Sequence, residues 1–160
     1  TIERWSGGFP PSADQAWNSC PLNPSLETIL GYVLLKPDAI MGIESRGFFW
    51  GLLVAQALNV PFIPVRKKGK LPYKTVSHRY ELEYGSAEIE VHEDAIKKGS
   101  KILIHDDLLA TGGTAAAAAH IAELQGAIVC GFSFLVNLSF LKGEKRLKTY
   151  SQNIDSLVTY

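Results

Sequence analysis

Apolar positions recur along the chain with two periods, and the places where one gives way to the other mark its elements. Leu26, Ile29, Leu30, Val33 and Leu34 fall at i, i+3, i+4, i+7 and i+8. That is the stripe of one helical face, with Ser25 as N-cap and Lys36-Pro37 as its end. Asp38 to Ile43 reads as a strand and Phe48 to Asn59 as an apolar helix. Val60 to Val65 is a second short strand, in which Pro61 and Pro64 leave parts outside a full hydrogen-bond ladder. Leu71 to Arg79 is polar and irregular and is expected to be a loop. Tyr80 to Glu83 and Ala87 to Val91 alternate about Gly85-Ser86, which predicts a hairpin with one polar face. Lys101 to His105 has the apolar run of a strand buried on both faces. Ala115 to Gln125 has the best helix-forming composition in the chain, with Gly126 at its C-cap. Ala127 to Leu138 holds a long apolar strand, and Leu157 to Tyr160 is expected to add an edge strand.

Strands near 38, 60, 101 and 127, separated by helical patterns near 46 and 114 and by one hairpin, describe a single α/β domain with a largely parallel sheet. The 160 residues, 46% of them apolar, suffice for one core and are too few for two. Sixteen basic residues balance sixteen acidic ones, so charge gives no argument for nucleic acid or an acidic membrane as partner. No apolar run approaches the roughly 20 residues that cross a bilayer, and no signal-peptide pattern opens the chain. A soluble, cytoplasmic protein is the expectation. Cys20 and Cys130 are too few for a disulfide scaffold, and the four histidines lack ligand spacing.

Candidate chemistry concentrates in Lys101 to Ala119, KILIHDDLLATGGTAAAAA. A buried strand runs into Asp106 and Asp107, then into a small-residue turn with two glycines, then into a helix start. Backbone N–H groups there lack internal partners, and with the helix dipole they favour a phosphate among Ala110, Thr111, Gly112, Gly113 and Thr114. The threonine hydroxyls add donors. A ribose between phosphate and acids would offer its 2′- and 3′-hydroxyls to Asp106 and Asp107, so a ribose 5-phosphate suits both ends. The acids' charge also suits a sugar carbon becoming cationic. The alternative is a threonine cap with solvated aspartates.

This stretch closely resembles the phosphoribosyl-pyrophosphate signature of type I phosphoribosyltransferases, and HDDLLATGGT is similar to its form in the adenine enzymes of that family. GIESRGF, with Ser45 and Arg46 at a second strand-to-helix junction, is similar to their pyrophosphate loop. RKKGKLP is similar to the segment before their mobile loop, and it makes Arg66, Lys67 and Lys70 pyrophosphate contacts at the carboxyl end of a strand. Leu82-Glu83-Tyr84-Gly85 matches the family's lid motif. Tyr84 falls to the lid, and Glu83 carries the carboxylate for taking a proton from the attacking base or orienting it. An exposed hairpin glutamate is an almost equally good account of Glu83. The resemblance also makes Leu138 an apolar contact to a purine ring.

The resemblance covers roughly 37–147 and implies a type I phosphoribosyltransferase fold: a mainly parallel twisted sheet flanked by helices, a hairpin flap and a small hood. One domain over 1–160 is expected, divided into an N-terminal hood segment (1–36), a core (37–147) and a C-terminal tail (148–160). The implied reaction makes AMP and pyrophosphate from adenine and phosphoribosyl pyrophosphate. Mg²⁺ would be held through the donor and water, with no ligand direct from the protein. A homodimer is implied as well. The N-terminus departs from the family's pattern, since only Gly8-Phe9-Pro10 has the expected character, and Trp17 is a candidate to build the base pocket differently. Hypoxanthine or xanthine as the base, and a non-catalytic regulatory module binding the same donor, stay open. A kinase-type phosphate loop is excluded, because no Gly-Lys-Ser/Thr follows the glycines.

Overall fold

The computed structural model describes residues 26–82 and 85–160. Ser25, Trp17, Cys20, and the lid pair Glu83 and Tyr84 lie outside the described residues. Helix α1 (Leu26–Leu35) leads into β1 (Ala39–Ile43), and α2 (Gly47–Leu58) into β2 (Phe62–Lys67). A hairpin of β3 (Thr75–Leu82) and β4 (Gly85–His92) follows. Then come β5 (Lys101–Leu109), α3 (Gly113–Leu124), β6 (Ile128–Asn137), a 3₁₀ turn at Ser139–Leu141, the short α4 (Glu144–Leu147) and β7 (Ile154–Thr159).

Among the described residues seven strands form one sheet, ordered β3-β4-β2-β1-β5-β6-β7. β1 lies between β2 and β5, parallel to both, and β6 is parallel to β5 and β7. The hairpin joins antiparallel through β4 and β2, where Arg66 pairs with Glu90 and Lys67 with Ile89. Since the chain passes from β1 outward to β2 and later returns on the other side as β5, loops diverge at the carboxyl ends of β1 and β5. That divergence opens a crevice where such sheets bind ligands.

Side-chain alternation divides the core between the two faces. Met41, Ile43, Val65, Ile102 and Ile104 pack with the alanines of α3, while Ile40, Leu103, Val54 and Tyr32 form a second cluster with α1 and α2. Ala115 to Ala119 are all buried, so the alanine run is a close-packing surface and not only a favourable helix composition.

Three expectations are corrected. Residues 75–79 are not loop but the first half of β3, paired with β4 from Thr75 opposite His92 to Leu82 opposite Gly85. Their sequence alternates weakly; the strand is set by Val76 and Tyr80 packing on the core and by the His78 ring lying 4.3 Å from that of His120. β5 does not stop at His105 but runs to Leu109, because β6 continues to pair with it, Asp106 opposite Phe134 and Leu109 opposite Asn137. The acid pair therefore sits on the strand. β7 begins at Ile154, earlier than Leu157, because β6 offers it an edge from Phe132 onward.

Candidate active site

A cleft of about 560 Å³ opens at the carboxyl edge of the sheet. β1 delivers Ser45 and Arg46 to it, β2 delivers Lys67 and Lys68, β5 delivers Asp106 and Asp107, and α3 begins there with Thr114. The chain thus brings together, from separate elements, one acid pair, three cations and the start of a helix, with Glu44 and Glu88 also on the wall.

The two acids have different surroundings. Asp107 Oδ2 lies 2.6 Å from Arg46 Nε, and the Arg46 side chain is largely exposed and lines the cleft. Asp106 Oδ1 accepts the Asp107 backbone N–H at 2.9 Å. Burial pushes the Asp106 carboxyl up to about 7, with the neighbouring acid adding to the shift and Arg46 opposing it. Gly47 makes the close approach of α2 possible, since a Cβ there would lie 3.0 Å from both Asp106 Oδ1 and the His105 carbonyl oxygen.

Beyond the acids, Leu108 to Ala115 line a recess of about 70 Å³. The first helical hydrogen bond runs from Ala116 N–H to Gly112 O at 2.9 Å. The N–H groups of Gly113, Thr114 and Ala115 precede it and so lack helical acceptors, the geometry that receives an anion. Neither threonine caps α3: its N-cap is Gly112, left-handed at φ +75°, with no side-chain cap. A Cβ on Gly112 would lie 2.8 Å from the Gly143 carbonyl oxygen, and one on Gly143 would overlap that of Ala110. The turn is clamped between two glycines.

The basic segment is organised by two acids that sequence reasoning missed. Glu44 accepts Arg66 Nε at 3.2 Å and the Lys67 backbone N–H at 3.0 Å, and Lys70 Nζ is 3.2 Å away. Burial opposes its charge, but those donors hold its carboxyl below the ordinary range. Arg66 and Lys70 are therefore gathered on Glu44, while Lys67 and Lys68 line the cleft, Lys68 with its Nζ donating to Ser77 Oγ at 3.0 Å and lying 3.6 Å from Glu88. Glu90 is 2% exposed and accepts the backbone N–H groups of Lys70 and Leu71 at 2.9 and 2.8 Å and the Thr75 hydroxyl at 3.1 Å. It fixes the turn that presents the cations. The alternation of β4 marks Glu90 as a strand residue, but nothing local says that its carboxylate turns inward to meet another segment.

Leu138 is half-buried just past β6, its N–H donating to Leu109 O at 2.9 Å, next to the recess and outside the lining of the main cleft. Asn137 beside it donates to Glu144 Oε1 at 2.7 Å, so an acid reaches this position from α4. Behind the acids, Tyr32, Ser133 and His105 form a buried chain, with contacts of 2.6 and 3.0 Å at Ser133 Oγ. Burial lowers the His105 ring to about 4, so it is neutral at physiological pH. Cys130 is a free thiol that burial raises to about 11. Among the described residues no group of His, Cys, Asp and Glu is gathered closely enough to hold a metal ion alone, and no helix is long and apolar enough to cross a membrane.

A mainly parallel sheet with an acid pair, a glycine turn and three cations in a cleft at its carboxyl edge defines a phosphoribosyl transferase domain, and the family of that description matches residues 27–154. The adenine phosphoribosyltransferase of Christiangramia forsetii is 55% identical over 125 residues, 78% of this chain and 72% of the relative. The solved adenine phosphoribosyltransferase of Rhodothermus marinus superposes with a TM-score of 0.78 at 44% identity, covering 84% of this chain and 76% of that one. The Saccharomyces cerevisiae enzyme, solved with D-2,5-dideoxy-2,5-imino-altritol 1,6-bisphosphate and adenine, gives 0.73 at 42% identity, covering 81% and 76%. The chain belongs to the adenine phosphoribosyltransferases.

Proposed function

We propose that the chain transfers the 5-phosphoribosyl group from phosphoribosyl pyrophosphate to adenine, giving AMP and pyrophosphate, as a purine salvage enzyme acting in the cytoplasm. The observation that carries this reading is the paired acids of β5 set between a glycine-clamped helix start and the cleft that Arg46, Lys67 and Lys68 line. The relatives' specificity and the adenine in the yeast enzyme support the base.

Ala110, Thr111, Gly112, Gly113 and Thr114 hold the 5-phosphate through backbone N–H groups and hydroxyls. Asp106 and Asp107 take the ribose hydroxyls. As the bond from C1 to pyrophosphate breaks, their charge faces a sugar carbon becoming cationic. Ser45, Arg46 and Lys67 receive the leaving diphosphate, with Arg66 and Lys70 available once it competes with Glu44 for them. Adenine N9 then bonds to C1, and its proton passes to Glu83, with Tyr84 closing the flap and Leu138 against the ring. A covered site matters because water would otherwise capture the ribosyl cation.

The donor set suits Mg²⁺ bound through diphosphate and water. Magnesium prefers oxygen ligands and keeps much of its hydration, and two carboxylates with one driven toward neutrality by burial form a site that a nearby cation relieves. That ion would neutralise charge on the departing pyrophosphate. The exposed Phe49 and Leu52 on α2 give a homodimer an apolar face close to Arg46. One domain spanning 1–160, with a hood contributed by 1–36 and a tail from 148, completes the reading.

The test is pyrophosphate release with each purine base in turn. Release with adenine is expected. Release only with hypoxanthine or xanthine would correct the base, and binding of the donor without release would make the chain a regulatory module.

A further inference from the structure

Tyr80 stands where three features meet. It borders the main cleft, it belongs to the flap strand β3, and its hydroxyl donates to Thr114 Oγ1 at 3.0 Å. Its ring lies over the start of α3, with two edge carbons 3.7 and 3.8 Å from where a Gly113 Cβ would be. His78, two residues earlier on the same side of β3, rests on His120 of α3 at 4.3 Å, while Arg79 between them turns away to Ser86. β3 is therefore seated on the helix by alternate side chains, and the tyrosine hydroxyl reaches the first turn of that helix as part of this seating.

A threonine hydroxyl has one proton and two lone pairs. When Thr114 accepts from Tyr80, its own proton is left to point elsewhere, and a hydroxyl that accepts one hydrogen bond donates the next more strongly. The acceptor that the recess is built for is a phosphate oxygen. We propose that Tyr80 is a positioning residue for the sugar phosphate, aiming and polarising the Thr114 hydroxyl toward the 5-phosphate and tying the flap strand to the loop that holds it. The inference rests on the reading of Ala110 to Thr114 as the phosphate site. It adds a residue from outside the signature stretch, on the element that carries the lid.

Tyr80→Phe keeps the ring on Gly113 and removes only the donor. Pyrophosphate-release kinetics should then show KM for phosphoribosyl pyrophosphate raised about five- to ten-fold, the effect of one neutral hydrogen bond, with kcat changed less than about two-fold and KM for adenine unmoved. Titration calorimetry with ribose 5-phosphate should show the same loss without catalysis. Thr114→Val should weaken ribose 5-phosphate comparably, and adding Tyr80→Phe to it should cost nothing further, since the two act as one unit. Additive losses, or a Tyr80→Phe protein that melts earlier yet binds ribose 5-phosphate as the wild type does, would overturn the proposal. A wild-type protein that binds ribose 5-phosphate but releases no pyrophosphate with any purine would defeat the transferase reading alone, leaving the calorimetric comparison to decide on Tyr80. No binding of ribose 5-phosphate by the wild type would overturn both.

Discussion

Replacing Asp106 by Asn should make the protein more stable and less active, and the gain should depend on pH. The carboxyl is pushed by burial from 3.8 to about 7 while its neighbour Asp107 is satisfied by Arg46 at 2.6 Å. A folded-state pKa above the unfolded one means that the native state binds the proton more tightly. Its stabilising contribution is thus fully present below about pH 4 and is lost as pH rises through about 7. The gap of some three units, at about 1.4 kcal/mol each, sets a ceiling of about 4 kcal/mol on that loss. Asparagine has nearly the same shape, keeps an oxygen to accept the Asp107 N–H, and does not titrate. Urea unfolding should give the two proteins similar stabilities near pH 4, with Asp106→Asn ahead above pH 8 by up to about 4 kcal/mol, or roughly 10 °C in Tm for a chain of this size. Turnover should fall by about a hundred-fold or more, because charge that is costly in the free protein is what meets the cationic sugar. In the wild type, kcat/KM should decline as pH falls through about 7, as Asp106 takes up its proton. Stability curves that stay parallel from pH 4 to 9 would refute the burial argument, and turnover unaffected by the substitution would refute the role of the acid.

Other expectations follow from the same geometry. Gly112→Ala forces a Cβ into a left-handed position 2.8 Å from the Gly143 carbonyl oxygen. It should lose about 1–3 kcal/mol in denaturant unfolding and raise Kd for ribose 5-phosphate by at least ten-fold; normal affinity would show that the turn does not hold the phosphate. Glu90→Gln should cost about 1–3 kcal/mol at neutral pH, since two backbone N–H groups and a hydroxyl converge on one buried carboxylate. Burial opposes the Glu90 charge, but these donors hold its pKa below the ordinary value, so its contribution is present above the unfolded pKa and fades as pH falls through the folded one. Equal loss at pH 3 and pH 7 would count against that. The same variant should raise KM for phosphoribosyl pyrophosphate, because the turn presenting Lys67 and Lys68 loosens.

Much of the site is local and hence visible in the chain. Strand, acids, glycine turn and alanine helix are consecutive, and the spacing that makes an anion cradle is fixed by backbone geometry within some 20 residues. The same holds for Arg46 at its strand-to-helix junction and for the parallel sheet, whose βα periodicity can be counted. Local pattern cannot show where a side chain goes when its partner is distant in sequence. Arg66 and Lys70 read as free cations until β1 places Glu44 between them, 22 and 26 positions earlier. Residues 75–79 read as loop because their apolar content is too sparse to announce a strand without the face of α3 to rest on. Tyr80 looks like an ordinary alternating strand residue, and only the packing of β3 across α3 brings its hydroxyl to Thr114. The sequence alone determined the order of strand, acid pair, glycine turn and helix start on which the phosphate reading rests, because those groups are consecutive. The tertiary structure alone decided which charges are paired, which acid is buried and which strand touches the cradle, because burial and long-range contact depend on what the rest of the chain brings alongside.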